Sequence, residues 1–194
     1  MKTDILKQTQ QAAQLDDIAD LVHLARQDIT YFQEIFERFF LPIHNYTLSR
    51  VGDRQVAQDI VSQTFLAALE GLRSYQEKGQ FSAWIFTIAR SKINDHFRSQ
   101  KRLSENTIED IPALGEDLLA RRVQDEQINA LRMLIKKLPQ KKQELIRLRY
   151  VANLSFKDIA AITGRSEGSA KKALYRILDD LKEELVRLAE GAAE

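Results

Sequence analysis

Apolar side chains recur every three to four residues along most of this 194-residue chain, and that period constrains its fold more than any other feature. The clearest stripe consists of Phe32, Ile35, Phe36, Phe39, Ile43 and Tyr46. A 3.6-residue period is that of an amphipathic helix with one buried face. The chain also has only seven glycines and three prolines, too few for the many turns of an all-β fold. The sequence therefore predicts an all-α protein.

Composition excludes several kinds of functional site. The chain has no cysteine, which removes disulfides, thiolate nucleophiles and cysteine-bound metals. Its three histidines are widely spaced, and the sequence contains neither a phosphate-binding loop nor a nucleophile–base set. We therefore expect no metal, no cofactor, no small-molecule substrate and no enzymatic activity. Because no run approaches ~18 apolar residues and the start is no signal peptide, we expect a cytoplasmic protein without direct membrane insertion.

The formal net charge of +1 conceals a strong segregation of charge along the chain. Residues 103–120 carry five carboxylates and no basic group, whereas residues 121–194 carry 16 basic and 11 acidic side chains. Five basic groups concentrate in residues 90–102 and seven in residues 132–149, each window with a single acidic group. Two basic patches separated by an acidic strip are typical of a nucleic-acid-binding protein, although ordinary solvated helix faces would give the same pattern.

The first 102 residues are predicted to form a compact bundle of roughly four helices. Pro42 lies inside the clearest apolar pattern and should kink that helix or split it after Leu41. Ser82 is the expected N-cap of the last helix, and Gly79, in the loop before it, is free to adopt a positive φ. One predicted helix lies within residues 1–30, and the others cover residues 31–51, 54–72 and 83–100.

Residues 103–124 are predicted to be a flexible acidic linker between two units. They contain a proline, a glycine and the acidic strip, without a sustained apolar period. The second unit, residues 125–194, opens with a helix that ends near Leu138. Pro139 is expected at the first position of the next helix, where its missing N–H costs nothing.

Residues 155–175 have the spacing of a helix-turn-helix. Ser155 and Asp158 form a capping box that opens a short helix, Gly164 permits a sharp turn after it, and Ser166 caps the last helix. An αα-hairpin in a packed core is the alternative, but a buried face would not carry several cationic and hydroxyl donors. The donors on and before the last helix, suited to phosphates and base edges, are Arg165, Ser169, Lys171, Lys172 and Arg176.

Both units resemble the sigma factors of bacterial RNA polymerase, specifically the extracytoplasmic-function group of the sigma-70 family. The segment SFKDIAAITGRSEGSAKKALY, with the preceding LPQKKQELIRLRYVANLS, resembles region 4 of that group. Three segments resemble successive parts of region 2: residues 31–51, Gly52-Asp53 with AQDIVSQTFLAAL, and GQFSAWIFTIARSKINDHFRSQKR. The resemblance covers about residues 30–100 and 125–185 in the family's order. It implies a region 2 bundle over 1–102 and a region 4 helix-turn-helix domain over 125–194.

The resemblance implies a promoter-specificity subunit that has no catalysis of its own. Such a subunit binds core RNA polymerase at the β′ clamp helices and the β flap, recognises the −10 and −35 elements of promoter DNA, and helps to open the duplex. It also implies control by an anti-sigma factor. The acidic linker would thread the polymerase channel, where its carboxylates could mimic nucleic acid. The alternative is that the linker is only a tether and its carboxylates keep it soluble.

The resemblance also assigns roles to matching residues. The polymerase-docking positions are Asp59, Gln63 and Phe65. The alternative is that Asp59 and Gln63 belong to a solvated helix face and Phe65 to the core. The positions for −10 capture and phosphate tracking are Tyr75, Gln76, Lys78, Gln80, Trp84, Arg90, Lys92, Arg98, Lys101 and Arg102, with a core role as the alternative for Trp84. The −35 positions are the five donors around the last helix, from Arg165 to Arg176. Asp95 and His96 are expected to be a structural pair.

The chain departs from the commonest form of the family around the turn glycine, at Thr163, Arg165, Ala170 and Ala173. Compared with that form, Thr163 and Ala170 reduce the apolar contact between the two helices, and Ala173 stands where the family usually has a basic residue. Two other functions stay open at this point. One is a stand-alone helix-turn-helix regulator that binds a palindromic duplex as a dimer; the other is an interaction module that binds polymerase without opening promoters.

Overall fold

The structure, a computed structural model, describes residues 18–76, 79–104 and 126–191, and every regular element in these ranges is helical. The all-α prediction is confirmed. No helix in these ranges is long and apolar enough to cross a membrane. The helices are α1 (Ile18–Gln27), α2 (Phe32–Val51), α3 (Arg54–Gly71), α4 (Phe81–Ser104), α5 (Glu126–Lys137), α6 (Gln140–Ile146), α7 (Phe156–Thr163) and α8 (Glu167–Gly191). A 3₁₀ turn, Ile29–Tyr31, precedes α2, and a π turn, Arg147–Val151, continues α6.

Helices α1 to α4 form a bundle around the apolar stripe of α2. Ile35, Ile43 and Tyr46 are fully buried, and Tyr46 meets Phe86 of α4 edge to face at 5.5 Å between ring centroids. Each such side chain stabilises the fold by about 1.5–3 kcal/mol when it leaves water. One member of the predicted stripe is not in the core, because Phe36 is 39% exposed.

Helix α2 is not split at Pro42. It runs without interruption over Phe32–Val51, although the proline removes one backbone donor. The buried residues Phe39, Ile43 and Tyr46 lie on both sides of Pro42 and attach both segments of the helix to the same core. Tertiary packing therefore outweighs the local cost of the proline.

Two predicted helix starts are wrong, by two residues for α4 and by one residue for α6. α4 begins at Phe81, and its first turn is closed by the Trp84 N–H donating to the Gln80 carbonyl at 3.0 Å, so Ser82 is inside the helix. The burial of Phe81, 1% exposed, fixes the earlier start. Pro139 precedes α6 instead of opening it, because its ψ of 144° is extended. α4 also continues to Ser104, past the predicted start of the linker, and residues 105–124 lie outside the described residues.

The local signals of the helix-turn-helix are confirmed. The Ser155 hydroxyl accepts from the Asp158 N–H at 3.1 Å and donates to the Asp158 carboxylate at 2.5 Å, which closes the first turn of α7. Gly164 ends α7 with a φ of +68°. The Ser166 hydroxyl accepts from the Ser169 N–H at 3.2 Å and caps α8. Beyond the turn, Ala170 is completely buried where α8 crosses α7.

The two halves of the described chain pack against each other. α2 contacts the π turn after α6, and α4 contacts α7. At the centre, the Glu144 carboxylate accepts a hydrogen bond from the Tyr46 hydroxyl at 2.6 Å and one from Arg50 at 2.7 Å. Arg90 of α4 donates to the carbonyl oxygen of Ile162 at 2.7 Å. The predicted two units therefore share a buried polar interface, which the apolar periodicity did not indicate.

The turn between α7 and α8 gives a test of backbone conformation alone. A Cβ at Gly164 or at Gly168 would meet no described atom within 4 Å, but only Gly164 has a positive φ. We expect Gly164→Ala to lower the free energy of unfolding by about 1 kcal/mol, because an L-residue is disfavoured in the left-handed region. Gly168→Ala, inside α8, should leave the free energy of unfolding unchanged or raise it slightly.

Urea unfolding followed by circular dichroism measures both variants. Equal changes at the two positions would contradict the assignment of the left-handed turn to Gly164.

Candidate nucleic-acid interface

Helix α8 presents a line of hydrogen-bond donors to solvent. Ser169, Lys172 and Arg176 follow one another at intervals of three and four residues and therefore share one face of the helix. Lys171 lies beside them, and Arg165 stands in the turn before α8. All five side chains are exposed. The five predicted −35 residues are thus brought together on one surface that is open to a ligand.

An aromatic side chain missed by the sequence analysis belongs to the same surface. Tyr175 is 51% exposed, and the Lys171 ammonium lies 6.0 Å from its ring centroid. The other side of α8 is anchored by the buried Leu174 and Ile177, which fix the direction of this face. The sequence signal was available, since Tyr175 follows Lys171 by four residues.

A cavity of about 550 Å³ lies between the end of α3, the loop before α4, the start of α4 and α7. Tyr75 and Trp84 line it, with their ring centroids 4.7 Å apart. Tyr75 is only 8% exposed, whereas Trp84 is half-buried and also packs against the core. Ala161 of α7 also lines it. The cavity is therefore formed mainly by the first half of the chain, with one lining residue from the second half.

The loop before α4 carries the remaining predicted pocket residues. Gln76 is exposed and Gln80 is half-buried, and both line the cavity. Gly79 adopts the expected positive φ, +64°, and its carbonyl oxygen accepts a hydrogen bond from the Lys157 ammonium of α7 at 3.3 Å. Lys78 lies outside the described residues. The loop is therefore in contact with α7 as well as with its own half.

The cations of α4 fall into two groups. Arg98, Lys101 and Arg102 are exposed and lie on one face near the end of the helix, and Lys92 is half-buried. Arg90 differs from all of them, because its guanidinium is engaged with α7 in the interface between the halves. Its predicted role in tracking phosphates stays a prediction, and the structure adds that its guanidinium also joins the two halves.

Asp95 and His96 have separate neighbours. The Asp95 carboxylate pairs with Arg98 at 3.4 Å, and the His96 ring lies 5.6 Å from the ring of Phe97. Adjacent residues of a helix point about 100° apart, so the expected mutual pair does not form.

Helix α3 has an exposed polar face with an apolar end. Asp59 and Gln63 are one turn apart and exposed, and Leu66, one turn further along, is 57% exposed. Phe65 is 5% exposed and packs against Phe36 with ring centroids 4.6 Å apart. The expected internal packing of Phe65 is confirmed, so its ring supports this face from beneath and is not available as a direct contact.

An exposed apolar patch adjoins that face. Phe36 and Phe40 of α2 are 39% and 38% exposed, with ring centroids 5.2 Å apart, and Phe36 also contacts Phe65 of α3. We call Phe36 and Phe40 the apolar patch. The sequence analysis assigned Phe36 to the core because periodicity does not show where a buried stripe ends.

The interface between the halves shifts two pKa values. Burial raises the pKa of the Tyr46 hydroxyl well above its usual value, and the neighbouring Glu144 charge raises it further. Burial, and after it the positive charge of the nearby Arg50, lower the pKa of Arg147 to about 10. At neutral pH, Tyr46 is therefore a neutral donor and Arg147 remains charged.

The described side chains on these surfaces can donate hydrogen bonds, stack and form ion pairs. Within the described ranges, no three acidic or imidazole groups are placed to hold a metal ion. The combination of a cationic helix face, a cationic helix end and an aromatic cavity suits an anionic polymer whose bases are accessible.

Two family models match the two halves of the chain. Residues 35–103 match Sigma-70 region 2, and residues 128–181 match Sigma-70, region 4. The chain is 31% identical over 156 residues to the ECF RNA polymerase sigma factor BldN of Streptomyces coelicolor, covering 77% of this chain and 58% of that protein. It is 27% identical over 194 residues to the ECF RNA polymerase sigma factor SigD of Mycobacterium tuberculosis, covering 95% of this chain and 90% of that protein.

Solved structures show the same fold. The sigma factor RpoE, co-crystallised with the anti-sigma factor NepR from Bartonella quintana, matches with a TM-score of 0.63 at 20% identity over 80% of this chain and 96% of that chain. CnrH, in complex with the cytosolic domain of CnrY, matches with a TM-score of 0.60 at 21% identity over 88% of this chain and 96% of that chain. With both regions matched in order, the chain belongs to the sigma-70 family of RNA polymerase sigma factors, in its extracytoplasmic-function group.

Proposed function

We propose that this chain binds core RNA polymerase, directs it to promoters with −10 and −35 elements, helps to open the duplex and catalyses no reaction itself. The observation that carries this proposal is the exposed donor face of α8. Lys171, Lys172 and Arg176 form no ion pair with a described side chain and are available to a ligand.

Helix α8 has the shape and charge of a major-groove reader. B-DNA admits one α-helix in its major groove, and the first residues of a recognition helix reach the base edges. Arg165 and Ser169 stand at that end of α8, while Lys171, Lys172 and Arg176 extend along it. In this role the first residues read the −35 element, and the cations further along hold phosphates.

The aromatic cavity suits an unstacked base of the −10 strand. Melting a few base pairs costs several kcal/mol, and stacking on an aromatic side chain returns about 1–3 kcal/mol per base. Trp84 offers a partly exposed ring at the cavity, and Gln76 and Gln80 offer amides at its edge. The exposed Arg98 and Arg102 would neutralise phosphates of the same strand.

The exposed face of α3 suits docking on the polymerase β′ clamp helices. Asp59 and Gln63 supply polar contacts next to the exposed Leu66, which matches the polar rim and apolar centre of protein–protein interfaces. We place the β flap contact on the second half of the chain. The division into residues 1–102, a linker of 103–124 and residues 125–194 is part of the same proposal.

We further propose a cytoplasmic location and control by an anti-sigma factor. Both solved proteins with the same fold carry a bound partner, an anti-sigma factor in the case of RpoE. The apolar patch is a surface that such a partner would gain by covering, because it exposes two aromatic rings side by side.

Gel filtration with core polymerase, followed by transcription from promoter fragments, tests the proposal as a whole. A sigma factor co-elutes stoichiometrically with the core and gives initiation that depends on the −10 and −35 sequences. Dimeric binding to a palindromic duplex without polymerase would instead identify a stand-alone regulator.

The −35 assignment predicts the effect of removing charge from α8. Lys171→Ala with Lys172→Ala should weaken −35-dependent initiation while core binding is unchanged. The slope of the logarithm of the DNA-binding constant against the logarithm of the salt concentration should become shallower by about 1 for each lost phosphate contact. Lys182→Ala is the matched control, since Lys182 is an exposed lysine further along the same helix. A salt series that is identical for the double variant and wild type would contradict the assignment.

The docking assignment predicts a separable defect. Asp59→Ala with Gln63→Ala should weaken association with core polymerase by about tenfold, which corresponds to ~1.4 kcal/mol, without changing the thermal stability of the free protein. Asp179→Ala, which removes an exposed carboxylate from α8, serves as the control. Fluorescence anisotropy against core polymerase measures both, and wild-type affinity of the double variant would overturn the assignment.

A further inference from the structure

Helix α1 reaches the neighbourhood of the aromatic cavity through one side chain. Leu21, Val22 and Ala25 are at most 2% exposed and fix α1 against the core. The next residue, Arg26, is half-buried and makes two contacts with the segment that leads from α3 to α4. The match to region 2 covers residues 35–103, so α1 precedes it, and the sequence predicted no role for Arg26.

The first contact of Arg26 holds the end of α3. Its Nε–H donates at 3.0 Å to the carbonyl oxygen of Leu72, the residue that follows the last residue of α3. Carbonyl groups at this end of a helix carry a partial negative charge, so a guanidinium there is favourable. A Cβ on the preceding Gly71 would lie 3.2 Å from the Trp84 Cζ2 atom, so this end of α3 packs closely against the indole. By holding the end of α3, Arg26 therefore also limits the position of Trp84.

The second contact of Arg26 is with an aromatic ring of the cavity. The guanidinium carbon lies 5.8 Å from the centroid of the Tyr75 ring, within the range of about 6 Å over which a cation is attracted to a ring. The Tyr75 N–H also donates at 3.3 Å to the Leu72 carbonyl that Arg26 holds. The Tyr75 ring lies 4.7 Å from the Trp84 ring and 5.4 Å from Phe81. We call Tyr75 and Trp84 the aromatic wall, and Arg26 contacts the backbone and the ring that fix it.

We propose that Arg26 is a positioning residue for base capture: it holds the aromatic wall in the arrangement that receives an unstacked base. The inference rests on the proposed −10 function. The described residues that line the cavity do not include Arg26, so it acts through the aromatic wall and not by touching DNA. Rings that are already held in place lose little freedom when a base stacks on them, so more of the stacking energy appears as affinity. Helix α1 is thus a working part of the −10 site.

Intrinsic fluorescence tests the positioning directly, because Trp84 is the single tryptophan of the chain. Arg26→Ala removes both contacts, so Tyr75 is held less firmly against the indole, and the rate constant for quenching by acrylamide should rise about twofold. Arg26→Lys keeps the charge but not the planar guanidinium, and should give a smaller rise. Arg54→Ala is the matched control: it removes an exposed cation from the opposite end of α3 and should leave quenching unchanged.

Base capture is measured with the full-length chain bound to core polymerase, on a promoter from which the wild type initiates. The −10 element is melted beforehand as a mismatched bubble, and an abasic site is placed at each position of its non-template strand in turn. At the captured position, loss of the base should weaken wild-type binding by about tenfold. In Arg26→Ala this ratio should fall to about twofold, because a displaced aromatic wall returns less stacking. A general defect in folding or in polymerase binding would weaken both affinities equally and leave the ratio unchanged.

Each outcome decides the proposal. Circular dichroism shows whether each variant is folded, and Arg26→Lys keeps the test valid if Arg26→Ala is not. Wild-type quenching in the folded variants overturns the positioning of the aromatic wall, and a wild-type abasic ratio overturns its role in base capture. A wild-type protein that does not initiate with core polymerase, or that is insensitive to every abasic site, would refute the proposed −10 function itself, so the two failures are distinguishable.

Discussion

A carboxylate that leaves water needs donors on several sides, and Glu144 obtains them only where the two halves of the chain meet. Tyr46 and Arg50 approach it from one helix, and Arg90 from another. Removing one partner of a buried pair typically costs about 3–5 kcal/mol, because the other charge stays buried. The relative position of the halves thus depends on a contact that is favourable only while all of its partners are in place.

The same contact also carries a cost. Desolvation largely cancels the attraction within a buried pair, and each unpaired polar group of Arg147 adds a penalty of about 1–3 kcal/mol. The net stability of the contact between the halves is therefore a difference between large opposing terms.

How far the sequence predicted the structure depends on the range of each interaction. Ser155, Gly164 and Ser166 act within four residues, so the helix-turn-helix followed from local chemistry, as did the all-α fold from its period. The helix starts predicted from Ser82 and Pro139 were misplaced by two residues and by one, since the burial of Phe81 and the extended ψ of Pro139 outweighed local capping preference. The Glu144 contacts join residues 94 and 98 positions apart, and no local pattern encodes them.

The candidate site divides in the same way. Exposed donors on α8 lie on the side opposite its apolar stripe, so the stripe predicted which face they occupy. The bond from Arg90 to the Ile162 carbonyl was not predicted, because its partner comes from the other half of the chain. A guanidinium donates to a carbonyl oxygen or to a phosphate oxygen with the same chemistry. The residue type therefore fits both surroundings, and packing between residues distant in the sequence selects the one seen here.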